Sequence, residues 1–359
     1  MERYWSFVLI LVDNIIKTII RYLIIVLICI HGYISLFKLA VSRNKIIGYH
    51  TCSRKGIDNI LGIFPDSNKL NPNYVTGFVD GEGSFIVKVL KRSRLRAGFE
   101  VQLCFQITSH PKDRALLERI RDYFGGVGSI HKEGSGCLQY RVSSNKDLNS
   151  IVKHFENFPL ITQKYGDYLL FKSVLEICNL KEHLSPEGIN RIVNIKASMN
   201  KGLAEGLKEA FPNAIPVVRP EVKNQVVKDP HWLAGFVDAE GCFNVGVYEQ
   251  NGHTKVRLSF SISQHSRDSS LINSIVEFLA CGSITASRNT VVFYVANLKS
   301  NNDIIIPFFE KYPLQSVKRL DFLCWCDAAI LLSNKSHLTE SGLKELVLIK
   351  ESISSRKVN

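Results

Sequence analysis

Apolar and polar positions alternate in paired runs at two places in the chain. Phe85, Val87 and Val89 fall on one side of a strand, with Ser84, Ile86, Lys88 and Leu90 on the other. After a basic turn (Lys91 to Gly98), Val101, Leu103, Phe105 and Ile107 alternate with Glu100, Gln102, Cys104 and Gln106. Further on, Phe243, Val245 and Val247 alternate with Cys242, Asn244, Gly246 and Tyr248. Their partner run sets Val256, Leu258, Phe260 and Ile262 against Lys255, Arg257, Ser259 and Ser261. Each pair predicts a β-hairpin with one apolar and one mixed polar face. A short helix signal precedes each hairpin. Asn71 or Asp229 suits the N-cap, and Pro72 or Pro230 the first helical position. The helix is expected to end at Gly83 or Gly241 in a left-handed stop. Helices are predicted around 112–124 and 268–280, then short strands, then helices near 165–180 and 319–333. The order α-β-β-α-β-β-α in each half predicts an α+β fold, an antiparallel sheet backed by helices on one face.

The two regions are copies. Tyr74-Val-Thr-Gly-Phe-Val-Asp-Gly-Glu-Gly83 recurs as Trp232-Leu-Ala-Gly-Phe-Val-Asp-Ala-Glu-Gly241. His110, Asp113 and Leu116 recur as His265, Asp268 and Leu271; Gly128-Ser-Ile130 recurs as Gly282-Ser-Ile284. Pro159-Leu160, Lys164 and Asp167 recur as Pro313-Leu314, Lys318 and Asp321. Matching segments keep their order at offsets of 154 to 158 residues, which is a tandem domain duplication rather than a solenoid. The expected organisation is a leader over 1–65, a first domain over 66–211, a Pro-rich linker over 212–229 and a second domain over 230–359. His110 and His265 flank no ligand cluster and read as structural.

The leader is apolar, with 16 uncharged residues from Tyr22 to Phe37 flanked by Arg21 and Lys38. That is just short of a bilayer span, so a membrane helix and an incidental translated leader both remain open. A signal peptide does not fit, because Glu2 opens the chain and no small-residue cleavage site follows the apolar run.

Composition sharpens the picture where charge enters. The 359 residues hold 45 Lys+Arg against 33 Asp+Glu, a formal +12. The first 65 residues contribute +5 and the rest +7, so the duplicated body is mildly basic and suits an anionic partner. Nine cysteines without a CxxC pair argue against a disulfide scaffold and a structural zinc module.

Gly77 and Gly81 in one helix, and Gly235 and Ala239 in the other, are spaced i, i+4. Small residues one turn apart let two helices approach backbone to backbone. Glu82 and Glu240 would then meet at the C-terminal ends, against the helix dipoles and against each other. A hard divalent cation, Mg²⁺ above all, would relieve that, with the Gly81 and Ala239 carbonyls as further ligands. Such a site fits phosphodiester cleavage.

These repeated motifs resemble the paired signatures of LAGLIDADG homing endonucleases, and the resemblance covers about residues 66–359. It looks like the single-chain, two-motif class of fungal mitochondrial introns, which implies a monomer and a mitochondrial gene product. The resemblance implies that Glu82 and Glu240 are metal-binding catalytic acids and that Lys164 and Lys318 are the basic residues beside them. Gln264 matches a glutamine that orders solvent near the metals; its counterpart in the first half, Ser109, is a departure. Two sheets side by side would form a saddle on double-stranded DNA, read in the major groove by the polar faces. That surface comprises Ser84, Ile86, Lys88, Leu90, Glu100, Gln102, Cys104 and Gln106 in one half, and Cys242, Asn244, Gly246, Tyr248, Lys255, Arg257, Ser259 and Ser261 in the other. Arg92, Arg94 and Arg96 in the first hairpin loop would meet phosphates. Because the halves differ at nearly every outward position, the target should be long and asymmetric. Two alternatives stay open: an RNA-binding maturase that assists splicing of a group I intron, and a membrane-anchored protein carrying a degenerate nuclease domain.

Overall fold

The computed structural model describes residues 69–134 and 136–358. The expected leader over 1–65, with its membrane reading, lies outside the described residues. No helix among the described residues is long and apolar enough to cross a membrane.

The first half runs α1 (Pro72–Glu82), β1 (Gly83–Lys91), β2 (Phe99–Ser109), α2 (Arg114–Tyr123), β3 (Ser129–Lys132), β4 (Leu138–Val142), α3 (Asn145–Asn157), α4 (Lys164–Asn179) and α5 (Pro186–Ala197). A short α6 (Glu205–Ala210) leads to an irregular stretch that ends at Asp229. The second half runs α7 (Pro230–Glu240), β5 (Gly241–Gln250), β6 (His253–His265), α8 (Ser269–Leu279), β7 (Ser283–Ala286) and β8 (Thr290–Val295). Helix α9 starts at Leu298–Ser300, loosens into a π turn over Asn301–Ile305 and resumes over Ile306–Lys311. Pro307, which has no N–H to give, sits just after the loosened turn. Helices α10 (Lys318–Ser333) and α11 (Glu340–Val358) follow. The halves hold one four-stranded antiparallel sheet each, ordered β1-β2-β4-β3 and β5-β6-β8-β7.

Each sheet turns its apolar face onto helices, and one phenylalanine centres each core. Phe85 meets Phe105, Phe155, Tyr168 and Phe171 at ring distances of 5.4–5.6 Å. Phe243 meets Phe260, Phe309, Phe322 and Trp325 at 5.0–5.7 Å. These buried ring contacts, mostly edge-on or tilted, sit among buried leucine, isoleucine and valine side chains.

The expected N-caps form: Asn71 accepts from the Asn73 amide, and Asp229 from those of His231 and Trp232. The expected left-handed stops do not. Gly83 (φ −78°) and Gly241 (φ −74°) are extended, and each helix passes directly into a strand. Glycine is needed there for space: an added Cβ would lie 2.4 Å from Val79 Cγ1 at Gly83 and 2.5 Å from Val237 Cγ1 at Gly241.

Register places Ser84, Ile86, Lys88 and Leu90 opposite Gln106, Cys104, Gln102 and Glu100 on the face away from the helices. Cys242, Asn244, Gly246 and Tyr248 lie opposite Ser261, Ser259, Arg257 and Lys255. Two of these expected DNA-facing residues need correcting. Cys104 and Ser259 are 4% and 5% exposed, because they are small side chains on central strands shadowed by larger neighbours. The register also adds residues that the sequence reading left unassigned. Gln106 faces Arg141 and Ser261 faces Tyr294, so β3, β4, β7 and β8 extend the polar faces with Ser129, His131, Arg141, Ser283, Thr285 and Tyr294.

Candidate active site

Helices α1 and α7 pack as a parallel pair along the small-residue stripes. A Cβ on Gly77 would stand 2.0 Å from the Trp232 carbonyl oxygen, and one on Gly235 would stand 2.1 Å from that of Tyr74. One turn on, a Cβ at Gly81 would lie 2.2 Å from Ala239 Cβ and 3.2 Å from Glu240 Cγ. The glycines thus face the partner helix rather than their own sheets, and the two C-terminal ends come to one place.

Three side-chain pairs lock the helices in register. Asn73 Nδ2 donates to Asp229 Oδ2 at 2.8 Å, Tyr74 donates to Asp238 Oδ2 at 2.6 Å, and Trp232 Nε1 donates to Asp80 Oδ2 at 2.8 Å. Asp80 and Asp238 are buried, and burial raises both carboxyls above their usual range. Each carboxylate accepts three further hydrogen bonds. Asp80 takes the Ile161 and Thr162 amides and the Thr162 hydroxyl; Asp238 takes the Gln315 and Ser316 amides and the Ser316 hydroxyl. Thr162 and Ser316 in turn accept from the backbone amides of Lys164 and Lys318. Each motif aspartate therefore ties the opposite motif helix to the loop that launches its own half's lysine. The sequence reading missed these two residues. Their signal was present: an acid on an otherwise apolar helix, with a tyrosine or tryptophan one turn into the partner.

The lysines occupy the helix ends. Lys164 Nζ donates to the Val79 and Gly81 carbonyls at 2.9 and 2.7 Å, and Lys318 Nζ to those of Val237 and Ala239 at 3.0 and 3.1 Å. A cation here meets the negative pole of each helix; it reaches the terminal Gly81 and Ala239 carbonyls and shares those of Val79 and Val237 with the Gly83 and Gly241 amides. The carbonyls expected to be open are therefore occupied, each with one lone pair left. Burial brings Lys164 down to about 8 and lowers Lys318 as well, while the neighbouring carboxylates oppose the shift. Each ammonium keeps one N–H uncommitted to these carbonyls.

Between these cations sit Glu82 and Glu240. Burial, then the Glu240 charge, lifts Glu82 from 4.5 to about 7, although Lys164 and Lys318 pull it down. Two lysines thus do not offset the burial of Glu82 and its repulsion by Glu240, which a compact positive charge between the two acids would oppose. Among the described residues no group of three or more His, Cys, Asp or Glu could hold a metal. The site does not fit zinc, which requires three or four protein ligands. It fits a hard cation that keeps several waters and borrows oxygens from a phosphate, as Mg²⁺ does.

The raised Glu82 has a pH signature. In the unfolded chain it would titrate at 4.5, in the folded protein at about 7. Below the lower value both states are protonated and nothing is lost. Above the upper value the folded state carries the full penalty, about 3 kcal/mol. Glu82→Gln should therefore raise the melting temperature at pH 8 in chelator, and the gain should vanish near pH 4. Melting curves of parent and variant at the two pH values decide; a gain that is the same at both would contradict the account.

Gln264 lies on β6 opposite Val291, two residues past the partner of Gly241, and its side chain makes no hydrogen bond among the described residues. Its counterpart Ser109 donates to Asp113 Oδ2 at 3.0 Å. His110 and His265 cap the turns that follow β2 and β6, accepting from the Lys112 and Arg267 amides. At the first hairpin, Arg94 and Arg96 are exposed, whereas Arg92 and Gln102 both engage Glu100 at 2.9 Å.

The family pattern described as LAGLIDADG endonuclease matches residues 75–175 and 233–329, once in each half. The chain is 40% identical over 287 residues to a Neurospora crassa protein named probable intron-encoded endonuclease 3, covering 78% of this chain and 54% of that protein. It is 41% identical over 298 residues to probable intron-encoded endonuclease 2 of the same organism, covering 79% and 65%. The chain thus spans from about half to two-thirds of the length of these relatives. Among solved structures, I-SmaMI bound to an uncleaved DNA target in the presence of calcium ions superposes with a TM-score of 0.78 at 42% identity, over 80% of this chain and 99% of that one. The LAGLIDADG meganuclease I-CpaMI bound to uncleaved DNA gives 0.77 at 38% identity, over 79% and 99%. On the paired motif helices, the two matching sheets and these likenesses, the chain belongs to the LAGLIDADG endonuclease family.

Proposed function

We propose that the protein is a site-specific, Mg²⁺-dependent endonuclease that cuts both strands of a long, asymmetric DNA target. The observation that carries this reading is the meeting of two parallel helix ends, which sets Glu82 and Glu240 together between Lys164 and Lys318. One chain supplies both acids, so a monomer suffices.

In this reading Glu82 and Glu240 hold the divalent cations, with the free lone pairs of the Gly81 and Ala239 carbonyls available beside them. A bound divalent cation supplies charge stabilisation at the leaving oxygen and a more acidic water. The residues do the rest. Lys164 and Lys318 fix the helix ends and direct their remaining N–H groups to the phosphates. Water adds to phosphorus as one ester bond breaks, and the departing oxygen takes up a proton; the same event at the pseudo-symmetric centre cuts the other strand. Gln264 orders solvent at one centre only.

The polar sheet faces read base edges, with Lys88, Asn244, Tyr248, Lys255 and Arg257 exposed on them. Arg257 also lies over the Tyr294 ring at 6.0 Å, a contact that would aim its guanidinium. Arg94 and Arg96 contact backbone phosphates. Named relatives include intron-encoded proteins and a mitochondrial protein of Saccharomyces cerevisiae, which supports intron homing in a mitochondrion as the setting.

Selection of cleaved duplexes from a randomised library, with Mg²⁺ and with chelator, tests the reading. Linear products should appear only with the cation. Binding to the selected site should survive in chelator and weaken steeply with salt, by about 0.9 in log K per phosphate contact for each decade of salt. Cutting that persists in chelator, or no duplex cut at all, would overturn it.

A further inference from the structure

The segment between the halves reads in sequence as a connector, yet it lies bonded along the start of one lysine-bearing helix. Arg219 forks onto Asp167, with both guanidinium nitrogens at 2.9 Å from the two carboxylate oxygens, and Nη2 also reaches the Gln163 carbonyl at 3.0 Å. The Gln163 side chain pairs with the segment as a neighbouring strand would. Its Nε2 donates to the Val222 carbonyl at 2.9 Å, and its Oε1 accepts from the Val222 amide at 3.2 Å. Gly166 makes room, since a Cβ there would stand 2.4 Å from the Pro220 carbonyl oxygen. Further along, the buried Gln225 amide bridges the Ile161 carbonyl at 3.2 Å and Asp268 Oδ1 at 2.5 Å. Asp268 belongs to the other half, and the same oxygen accepts from the Gln163 backbone amide at 2.8 Å.

Apart from the Gln225–Asp268 bond, these contacts fall on residues 161–167, around Lys164. The second centre is built differently. At the duplicate positions of Gln163 and Gly166 stand Val317 and Leu320. Valine offers no side-chain amide to a passing strand, and leucine carries a side chain where Gly166 leaves room for Pro220. The Val317 backbone amide keeps the bond that Gln163 makes to Asp268, here to the duplicate Asp113 Oδ1 of the first half at 3.0 Å, but the other oxygen of Asp113 is taken by Ser109 and not by a linker residue.

We propose that the linker is a one-sided brace that positions Lys164, so that Arg219, Gln163 and Gln225 are positioning residues for the cut made at the first centre and not for the second. Asp113 supports the start of the Lys318 helix as Asp268 supports that of the Lys164 helix, and the linker is added at the first centre. An ordinary tether would matter equally to both strands; a brace on one helix matters to one. Displacing a catalytic group by about an ångström costs up to roughly 100-fold in rate. Loosening the brace should therefore turn a double-strand cutter into a slow nicking enzyme.

The inference rests on the nuclease reading, and one experiment separates their fates. A cognate duplex with a different fluorophore on each strand is cut under single-turnover conditions by the full-length protein and its variants. Arg219→Ala and the size-conserving Gln163→Leu should slow one strand by roughly 10- to 100-fold and the other by less than about 2-fold, with unchanged target affinity. Arg219→Lys, which keeps the charge but not the fork, should fall between. Asp113→Ala should slow the opposite strand. If the variants slow both strands alike, slow neither, or slow the same strand as Asp113→Ala, the brace is refuted while the nuclease reading stands. If the parent protein cuts neither strand, the nuclease reading has failed and takes the brace with it.

Discussion

Glu240→Gln, or Glu82→Gln, is expected to abolish double-strand cleavage, by at least about 1,000-fold in single-turnover rate, while leaving target binding intact or tightened. The amide keeps the shape and removes the charge. In the free protein that charge is a liability: Glu82 is held at about 7 by burial and by Glu240, even with two lysines adjacent. A liability of this kind persists where function uses it, so the substitution that destroys cutting should also stabilise the empty protein above neutral pH. The two readouts belong together. A variant that cuts at the parent rate would remove Glu82 and Glu240 from the chemistry.

The second large effect concerns the helix pair. Gly77→Ala adds one methyl group, but its carbon would stand 2.0 Å from the Trp232 carbonyl oxygen and 2.9 Å from the Phe236 amide nitrogen. Backbone cannot swing aside as a side chain does. The helices must separate, and the bonds from Trp232 to Asp80 and from Tyr74 to Asp238 stretch with them. A loss of roughly 3 kcal/mol or more is expected, seen as a fall in melting temperature of about 6 °C or more. Gly206→Ala is the control. It lies in α6 with nothing within 4 Å of the added carbon, and should be neutral or slightly stabilising. Equal melting temperatures for the two variants would mean that the close approach of α1 and α7 carries no energy.

Much of this was legible in the chain because duplication doubles every signal. A lone Gly-x-x-x-Gly or a single acid at a helix end says little. Two copies, each followed by a matching hairpin, identify the helix pair, the sheets and both pairs of Glu and Lys. What escaped was whatever depends on the partner half. Asp80 and Asp238 read as ordinary polar residues until Trp232 and Tyr74 arrive from the other helix. Gly83 and Gly241 look like left-handed stops, and only packing against Val79 and Val237 shows the true reason. Cys104 and Ser259 alternate outward correctly, yet the pattern cannot show that larger neighbours cover them. The spacing of Leu148, Ile151, Val152 and Phe155 did carry helix α3, and went unused. The linker was hardest: prolines announce a break in regular structure but say nothing of the bonds that Arg219, Val222 and Gln225 make.

The most direct test is anomalous scattering from crystals of the protein on its selected target with Mn²⁺ in place of Mg²⁺. The structure leads us to expect a manganese peak within about 2.0–2.6 Å of carboxylate oxygens from Glu82 and Glu240, with a DNA phosphate oxygen as a further neighbour. Manganese bound elsewhere, with those two side chains left unligated beside intact DNA, would contradict it.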